Sequence, residues 1–341
     1  MASTALHRGT GRRTAALELG PRAPVPTAPP NVGRMRAAVY DRFGDESVLR
    51  IVEDHPEPPV GPDVVLVRAT AAGVNPVDIG IRGGYLAGAY PHHFPITPGW
   101  DLSGVVERVG PAVVDFAPGD EVFGYVRRDD VQWGTAAELV PVPQRCLAHK
   151  PESLSFAEAG ALPLAGLTAY QALAEVLDVG EGDRVLVHRA AGGVGFFAVQ
   201  IAVALGAHVI GTASPKNHGF LRDAGAAEVL DYSAGPISEQ LAEPVDAVLD
   251  LVGGDTLTDA PKQVRDPARI ASVIDPRVLD LGGRYVFVRP DSHDLEELGR
   301  MADAGQLRVP IAKAFPLEQI ADAHRLVAGG HVRGKVVVTL R

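Results

Sequence analysis

From Met35 to about His149, apolar and polar residues alternate in short runs, and long stretches with helical spacing are absent. Turn-forming segments such as PEPPVGPD and GPAVVDFAPGD separate the runs. The runs are rich in β-branched residues and read MRAAVY, DVVLVRATAAGV, LSGVVERVG, DEVFGYV and TAAELVPV. This pattern predicts a partly open, barrel-like β-domain.

The pattern changes after Ser155, where apolar residues recur at helical spacing in SFAEAGALPLAGLTAYQALAEV. Strand and helix patterns then alternate. The predicted strands are DRVLVHRA, AHVIGTA, AEVLDY, VDAVLDLV, RIASVID and GRYVFVR, and the helices include VGFFAVQIAVALG and KNHGFLRDAG. The alternation predicts an α/β fold with a Rossmann-type, doubly wound parallel sheet.

Beyond Pro290 the pattern predicts a helix, a strand-like segment, a second helix and a final strand, KVVVTL. A final strand needs a sheet partner, which the β-domain can supply. We therefore predict four segments. They are an extension over residues 1–34, the first part of the β-domain over 35–155, the Rossmann domain over 156–290 and a return to the β-domain over 291–341.

The first 34 residues are rich in Ala, Pro, Gly and Arg and have no continuous apolar core, which excludes a secretory signal. We interpret them as a disordered extension, or as an upstream start ahead of Met35. Their arginines and scarce acids are also weakly similar to a mitochondrial transit peptide.

Charge, cysteine content and hydrophobicity bear on the partners and sites that this protein can have. The net charge of the 341 residues is −10, and Lys and Arg are scattered, so we expect no nucleic-acid partner. The single cysteine, Cys146, excludes an intramolecular disulfide and a multi-cysteine zinc site, and suits a reducing cytoplasm. No apolar run reaches the roughly 20 residues of a membrane helix, so no membrane partner is expected.

The segment VLVHRAAGGVGFFA places a glycine-rich turn between a predicted strand and a predicted helix. In the dinucleotide fingerprint G-x-G-x-x-G, Gly192 and Gly195 take the second and third places, and Ala190 stands in the first. We expect the helix to begin near Val194 and its first amides to face a pyrophosphate. The predicted phosphate-binding residues are Ala191, Gly192, Gly193 and Val194; the alternative is a tight turn without a ligand.

The next strand indicates which dinucleotide is bound. It ends in GTASPKNH, without the acid that NAD enzymes use to hold the ribose hydroxyls. A 2′-phosphate instead needs a cation and hydroxyl donors. The pattern predicts NADPH, bound by Thr212, Ser214, Lys216, Asn217 and Tyr232; Lys216 as a solvated lysine at a helix start is the alternative.

The chain after Met35 resembles the medium-chain dehydrogenase/reductases, in their zinc-independent quinone oxidoreductase (zeta-crystallin-like) branch. The stretches that carry the resemblance include AAGVNPVDIGIRGG, TPGWDLSGVVERVG, ALPLAGLTAYQAL, VLVHRAAGGVG, LDLVGG and HVRGKVVV. The resemblance implies a GroES-like catalytic domain split around a Rossmann domain, with the cofactor in the cleft between them. It also implies a homodimer.

The resemblance implies further site residues. It places Asn75, Asp78 and Thr168 near the nicotinamide, although Asp78 could equally cap a helix. Lys335 is either a cofactor contact or a solvated lysine. The other implied positions are Leu251, Val252 and Gly253 at the nicotinamide ribose, Phe287, Val288 and Arg289 at the nicotinamide, and Arg333 at the cleft.

Zinc alcohol dehydrogenases of this superfamily carry a His-Glu pair where this chain has Trp100 and Asp101. Their first catalytic cysteine is replaced in this chain by another residue near Asn75. His92 and His93 are adjacent in a Pro-rich loop, which is typical of polar surface. We therefore predict no functional metal.

The expected substrate is a small molecule with a carbon–carbon double bond conjugated to a carbonyl, such as a quinone or an enone. Tyr85 could donate the proton or simply pack, and Trp133 could line the substrate pocket or anchor its loop. Tyr125 and Arg289 complete the predicted pocket. The alternatives are a tailoring enoyl reductase of a polyketide-like pathway, and a non-catalytic NADPH-binding sensor or structural protein.

Overall fold

The computed structural model describes residues 33–330 and 332–340. The predicted extension lies outside the described residues except for its last two positions. Residues 34–341 form one compact unit. Within the described part of the chain, no helix is both long and apolar enough to cross a membrane.

The first part of the chain is the predicted β-rich domain. Its strands are β1 (Arg34–Val39), β2 (Arg50–Pro56), β3 (Val64–Val74), β4 (His92–Thr97), β5 (Asp101–Val109), β6 (Glu121–Tyr125), β7 (Val131–Trp133), β8 (Leu139–Pro143) and β9 (Leu147–His149). One helix that the sequence pattern did not predict, α1 (Pro76–Arg82), follows β3 directly. The helix has only seven residues and includes Gly80, so its sequence shows no clear helical periodicity.

The long helical pattern after Ser155 forms three consecutive pieces. They are α2 (Phe156–Ala161), α3 (Pro163–Tyr170) and a π-helical segment (Gln171–Val176). Pro163 stands at the first position of α3. Proline has no amide hydrogen, and at this position that loss costs no hydrogen bond, because the first amides of a helix have no partner within the helix.

The Rossmann domain contains β10 (Arg184–Val187), α4 (Gly193–Ala204), β11 (His208–Thr212), α5 (His218–Asp223), β12 (Glu228–Leu230), α6 (Ile237–Gln240), β13 (Ala247–Asp250), α7 (Gly254–Asp259), β14 (Ile270–Ser272) and β15 (Arg284–Tyr285). The strands are parallel and lie in the order β12-β11-β10-β13-β14-β15. The order reverses between β10 and β13, where open α/β sheets bind ligands at their carboxyl ends. This confirms the predicted Rossmann sheet.

Two predicted strands of this domain are much shorter than expected. GRYVFVR pairs only over Arg284–Tyr285, and RIASVID only over Ile270–Ser272. The remaining apolar residues of GRYVFVR extend past the carboxyl edge of the sheet, and Phe287 among them is exposed. Periodicity alone did not separate a strand from an extended loop.

The C-terminal segment contains α8 (Ser292–Asp303), β16 (Ile311–Pro316), α9 (Ile320–Ala328) and β17 (Lys335–Thr339). β17 pairs with the end of β3, antiparallel, so the chain re-enters the β-domain. The main sheet of that domain then runs β16-β17-β3-β5-β6-β9, and β8 also pairs with β3. Register shifts bend β3 between Leu66 and Val67 and between Ala69 and Ala71. Among the described residues β16 and β9 lie at the edges of this sheet, which agrees with the predicted partly open β-domain.

The turn between β10 and α4 leaves no space for a side chain at Gly195. A Cβ on Gly195 would lie 2.5 Å from the Arg189 carbonyl oxygen and 2.6 Å from the Ala190 Cα. Both atoms belong to the backbone and cannot rotate away, so α4 can pack on β10 only if this position is glycine.

We therefore expect Gly195→Ala to lower the free energy of unfolding by about 1–3 kcal/mol, the usual cost of overpacking. Gly219→Ala is the matched control, because a Cβ there meets nothing within 4 Å and the residue lies in α5. The control should be neutral or slightly stabilising. Urea titrations of both variants test this, and equal stability of the two would contradict the packing argument.

Candidate active site

The glycine-rich turn that is predicted to bind a pyrophosphate lies between β10 and α4. Gly192 caps α4, which begins at Gly193, one residue earlier than predicted. Residues 191–194 are half-buried, so the first amides of α4 face an open edge of the sheet. Ala191, Gly192, Gly193 and Val194 thus lie at the sheet's carboxyl edge, and their binding of a phosphate stays a prediction.

The structure locates the backbone strain of this turn at Arg189, which sequence reasoning missed. Arg189 has a φ of +50°, whereas Ala190 is not among the residues with positive φ. Thr212 of β11 fixes this conformation, since its Oγ1 accepts the Arg189 amide at 3.0 Å and its carbonyl accepts the Ala190 amide. Alanine fits the first fingerprint position because the left-handed residue precedes it.

The loop after β11 carries the residues predicted to bind a 2′-phosphate. Ser214 precedes a short 3₁₀ turn over Pro215–Asn217, and the Asn217 side-chain amide donates to the Ser214 hydroxyl at 3.2 Å. Lys216 in this turn is exposed, and so is Tyr232 after β12. The loop therefore presents a cation and two neighbouring polar groups to solvent at the ligand-binding edge.

A buried acid that was not predicted shapes the loop after β13. Asp250 accepts the amides of Val252 and Gly253 through Oδ1, at 3.1 and 3.0 Å, and receives the Ser272 hydroxyl on Oδ2 at 2.7 Å. Leu251 is buried and Val252 is exposed. The sequence signal was an acid at a strand end followed by two glycines.

Four side chains from distant parts of the chain form what we call the buried polar cluster: Asn75, Asp78, Asp101 and Lys335. The Asn75 side-chain amide donates to Asp101 Oδ2 at 2.8 Å, and the Lys335 ammonium donates to Asn75 Oδ1. Lys335 Nζ lies 3.9 Å from Asp101 Oδ2. Only 5% of Lys335 is exposed, so its interpretation as a solvated lysine is wrong.

The buried polar cluster adjoins the phosphate-binding turn. A Cβ built on Gly193 would lie 3.3 Å from Lys335 Cδ, so the lysine stem passes beside the first residue of α4. Asp101 reaches a second helix, because its Oδ1 accepts the Leu164 amide at 2.7 Å. One turn later in α3, the Thr168 hydroxyl donates to the Leu164 carbonyl at 2.6 Å. The cluster thus holds both domains together where the cofactor is expected.

Asp78 acts as the helix cap that the sequence allowed. Its Oδ2 accepts the Asn75 amide at 2.8 Å at the start of α1. Its other oxygen, Oδ1, is buried and has no hydrogen-bond partner in the described part of the chain.

Burial dominates the ionisation of the cluster. It raises the pKa of Asp78 to about 7, with the Asp101 charge adding to the shift, and raises the pKa of Asp101 to about 6 against the opposing effect of Lys335. Burial also lowers the pKa of Lys335. Because Asp101 accepts two hydrogen bonds and faces the ammonium, it is the ionised partner, and Asp78 is the carboxyl that takes up a proton near neutral pH.

The remaining predicted residues divide between exposed and packed positions. Tyr85 is exposed, and its hydroxyl adds to the rise that burial causes in the pKa of Tyr285. Tyr125 is buried and packs edge-on against Trp100, with ring centroids 6.0 Å apart. Trp133 is half-buried and contacts His55. These last two make packing contacts, and their place in a substrate pocket stays a prediction.

Other predicted residues lie at the rim of the sheet. The Arg289 side chain is held by Glu175, at 2.7 Å, and its backbone by Gln171. Arg333 lies over the Phe220 ring at 5.2 Å. Phe287 is exposed and Val288 half-buried. The structure therefore brings Asn75, Asp78, Thr168 and Lys335 together, and Arg289 instead belongs to an ion-pair network.

Metal ligands are not assembled here. The described residues contain no group of three or more His, Cys, Asp or Glu side chains that could hold a metal ion. At the position where the resemblance implies a metal in zinc enzymes, Asp101 and Asn75 face the Lys335 ammonium.

The raised pKa of Asp78 predicts how stability depends on pH. The folded protein binds this proton more tightly than the unfolded chain, so the stabilisation is present below the unfolded pKa near 4 and is lost as pH rises through about 7. Between pH 4 and 8, wild type should lose on the order of 2–4 kcal/mol of unfolding free energy relative to Asp78→Asn. Urea titrations across this range measure the difference, and the exposed control Asp115→Asn should parallel wild type. A constant difference between wild type and Asp78→Asn would contradict the shift.

Comparisons with known proteins agree with this architecture. Residues 61–152 match the family of alcohol dehydrogenase GroES-like domains, and residues 224–338 match the family of zinc-binding dehydrogenases. The human protein named NAD(P)H oxidoreductase RTN4IP1, mitochondrial, is 33% identical, over 93% of this chain and 92% of its own. An Arabidopsis thaliana NADPH-dependent alkenal/one oxidoreductase, chloroplastic, is 34% identical, over 89% of this chain and 79% of its own.

A solved structure also matches. The quinone oxidoreductase of Coxiella burnetii superposes with a TM-score of 0.83 at 35% identity, covering 90% of this chain and 99% of its own. Fold, site and relatives agree on an oxidoreductase that uses a nicotinamide cofactor. The chain belongs to the medium-chain dehydrogenase/reductase superfamily, in its quinone oxidoreductase-like branch.

Proposed function

We propose that this protein is an NADPH-dependent, zinc-independent reductase of quinones or other alkenes conjugated to a carbonyl. The observation that carries the proposal is the buried polar cluster, in which a carboxyl with a raised pKa accompanies Lys335, whose stem passes beside Gly193 of the glycine-rich turn. The names of the Arabidopsis and Coxiella relatives support the substrate class.

The residues of the site fit a dinucleotide. The half-buried amides of residues 191–194 suit a pyrophosphate, and the tight packing at Gly195 holds α4 close to β10. NADPH bound there would supply a hydride to the substrate. The buried polar cluster then has two tasks: Lys335 and Asn75 hold the start of α1 beside the first residue of α4, and Asp78 holds a proton within the cluster.

Reduction of a conjugated double bond needs a proton as well as a hydride. Asp78 suits this role because one of its oxygens is unpaired among the described residues and its pKa is raised to about 7. Tyr85 is the alternative donor, since its side chain is exposed. The positions of Thr168 and Asp101 suit them to orienting α3 rather than to proton transfer.

The preference for NADPH rests on the loop after β11. It offers the exposed Lys216 beside Ser214 and Asn217, and the segment 211–218 contains no acid. A carboxylate there would repel a 2′-phosphate, and a cation attracts it.

We expect Lys216→Ala to weaken NADPH binding by about 1–3 kcal/mol, the scale of a charged hydrogen bond, and to leave NADH binding nearly unchanged. Lys262→Ala, an exposed lysine paired with Asp259, is the matched control and should change neither. Fluorescence titrations measure the NADPH and NADH affinities of wild type and of both variants. Equal affinities of wild type for NADPH and NADH would refute the preference.

Zinc independence is proposed although one matching family is named for zinc binding. The only cysteine, Cys146, is buried, and the Lys335 ammonium would repel a metal ion at the buried polar cluster. Turnover with NADPH and a quinone should therefore survive EDTA, and metal analysis should find no stoichiometric zinc. Activity that is lost with EDTA and restored by zinc would contradict this.

A panel of 1,4-benzoquinone, trans-2-hexenal and an enoyl thioester tests the substrate class, including the enoyl reductase alternative. Failure of wild type to oxidise NADPH with any of them would refute the proposed function. The homodimer and the cytoplasmic location stay predictions.

A further inference from the structure

Arg127 lies where the two domains meet and was not among the predicted site residues. It follows β6 by two positions, and its guanidinium carbon lies 4.9 Å from the centre of the Phe287 ring. Phe287 follows β15 by two positions, at the carboxyl edge of the Rossmann sheet. The contact therefore links the β-domain to the ligand-binding edge of the sheet.

Among the residues that the structure describes, no acid forms an ion pair with Arg127. The side chain is half-buried, and its one hydrogen bond among the described residues is donated to the Tyr90 hydroxyl, at 3.3 Å. Its Nε is buried and unpartnered there. Three other arginines have such an Nε. Arg36 and Arg184 pair with glutamates, and Arg128 donates to the Pro141 carbonyl. Arg127 forms no ion pair within the described part of the chain, and its guanidinium donates only to the Tyr90 hydroxyl there. A half-buried guanidinium is ordinarily paired, so this one is suited to an oxygen ligand.

The sheet order separates Arg127 from the phosphate-binding residues. β11, which leads to Lys216, and β15, which leads to Phe287, are four strand spacings apart. At about 4.8 Å per spacing this is roughly 19 Å. A dinucleotide whose phosphates lie at α4 and after β11 would therefore have its ribose phosphate far from Arg127. The guanidinium lies beside Phe287, at the opposite end of this edge of the sheet.

Arg127 is also close to the buried polar cluster. Burial raises the pKa of the Tyr125 hydroxyl, Asp101 and Asp78 add to the rise, and Arg127 opposes it. Tyr125 is also the strand partner of Asp101, and Arg127 follows it by two positions along the chain.

We propose that Arg127 binds the carbonyl oxygen of the substrate, with Tyr90 and Phe287 as its positioning residues. The inference rests on the proposed function and deepens it. When the β-carbon of the conjugated system accepts a hydride, the electron pair of the double bond moves toward the carbonyl and leaves negative charge on its oxygen. The guanidinium stabilises that charge, and the α-carbon then takes the proton.

The test compares Arg127→Met, Arg127→Lys and the control Arg300→Met, an exposed arginine paired with Glu297 on α8. With NADPH and 3-penten-2-one, Arg127→Met should lower kcat/KM roughly 10- to 100-fold, because a donor to the developing oxyanion is lost. Both a higher KM and a lower kcat are expected. Arg127→Lys should retain part of the activity, and Arg300→Met should match wild type.

Two further measurements on the same variants separate this role from others. NADPH affinity and melting temperature should stay within error of wild type in Arg127→Lys and Arg127→Met. An unchanged kcat/KM would overturn the proposal, as would a loss that follows NADPH affinity or stability in both variants. Wild type that binds NADPH but reduces no conjugated carbonyl would instead refute the proposed function, so the two failures are distinct.

Discussion

The cost of burying a lysine ammonium organises this protein. Lys335 is almost fully removed from water, and it is tolerated there because Asn75 and Asp101 surround it. Each partner is held in turn: Asn75 by the start of α1, and Asp101 by β5 and the Leu164 amide. The pairing of β17 with β3 therefore does more than close a sheet, since it carries the charge to its partners. The same requirement sets the distance between the β-domain and the first residue of α4.

The elements with regular patterns could be predicted from sequence. The alternating apolar runs of the β-domain and the strand–helix alternation after Arg184 both describe real strands, and the glycine-rich turn lies where the fingerprint places it. What escaped prediction depends on contacts between distant residues. Asp101 was interpreted only as a missing metal ligand, because nothing in its own neighbourhood shows that an ammonium 234 positions later faces it. Lys335 was ambiguous for the same reason.

In two segments, prediction from sequence failed because the local pattern does not determine the backbone conformation. In the turn after β10, Ala190 stands where the fingerprint has a glycine, yet the positive φ belongs to Arg189. The amides of Arg189 and Ala190 donate to Thr212, a partner 23 positions after Arg189 that local sequence does not indicate. GRYVFVR has the composition of a strand but leaves the sheet after two residues. Its later residues instead form the rim, where Phe287 meets Arg127. In both segments the backbone follows its neighbours in space rather than its own pattern.

The Asn75–Lys335 contact joins residues 260 positions apart. During synthesis, the N-terminal strands leave the ribosome well before β17 exists, and the whole Rossmann domain is made in between. Asp101 of the nascent β-domain therefore lacks its cationic partner, Lys335, while the intervening domain folds as a unit. Contacts of such long range also slow folding, because the chain must close a large loop before it gains them. A nascent chain can thus hold a folded Rossmann domain before β17 pairs with β3 and Lys335 reaches Asn75.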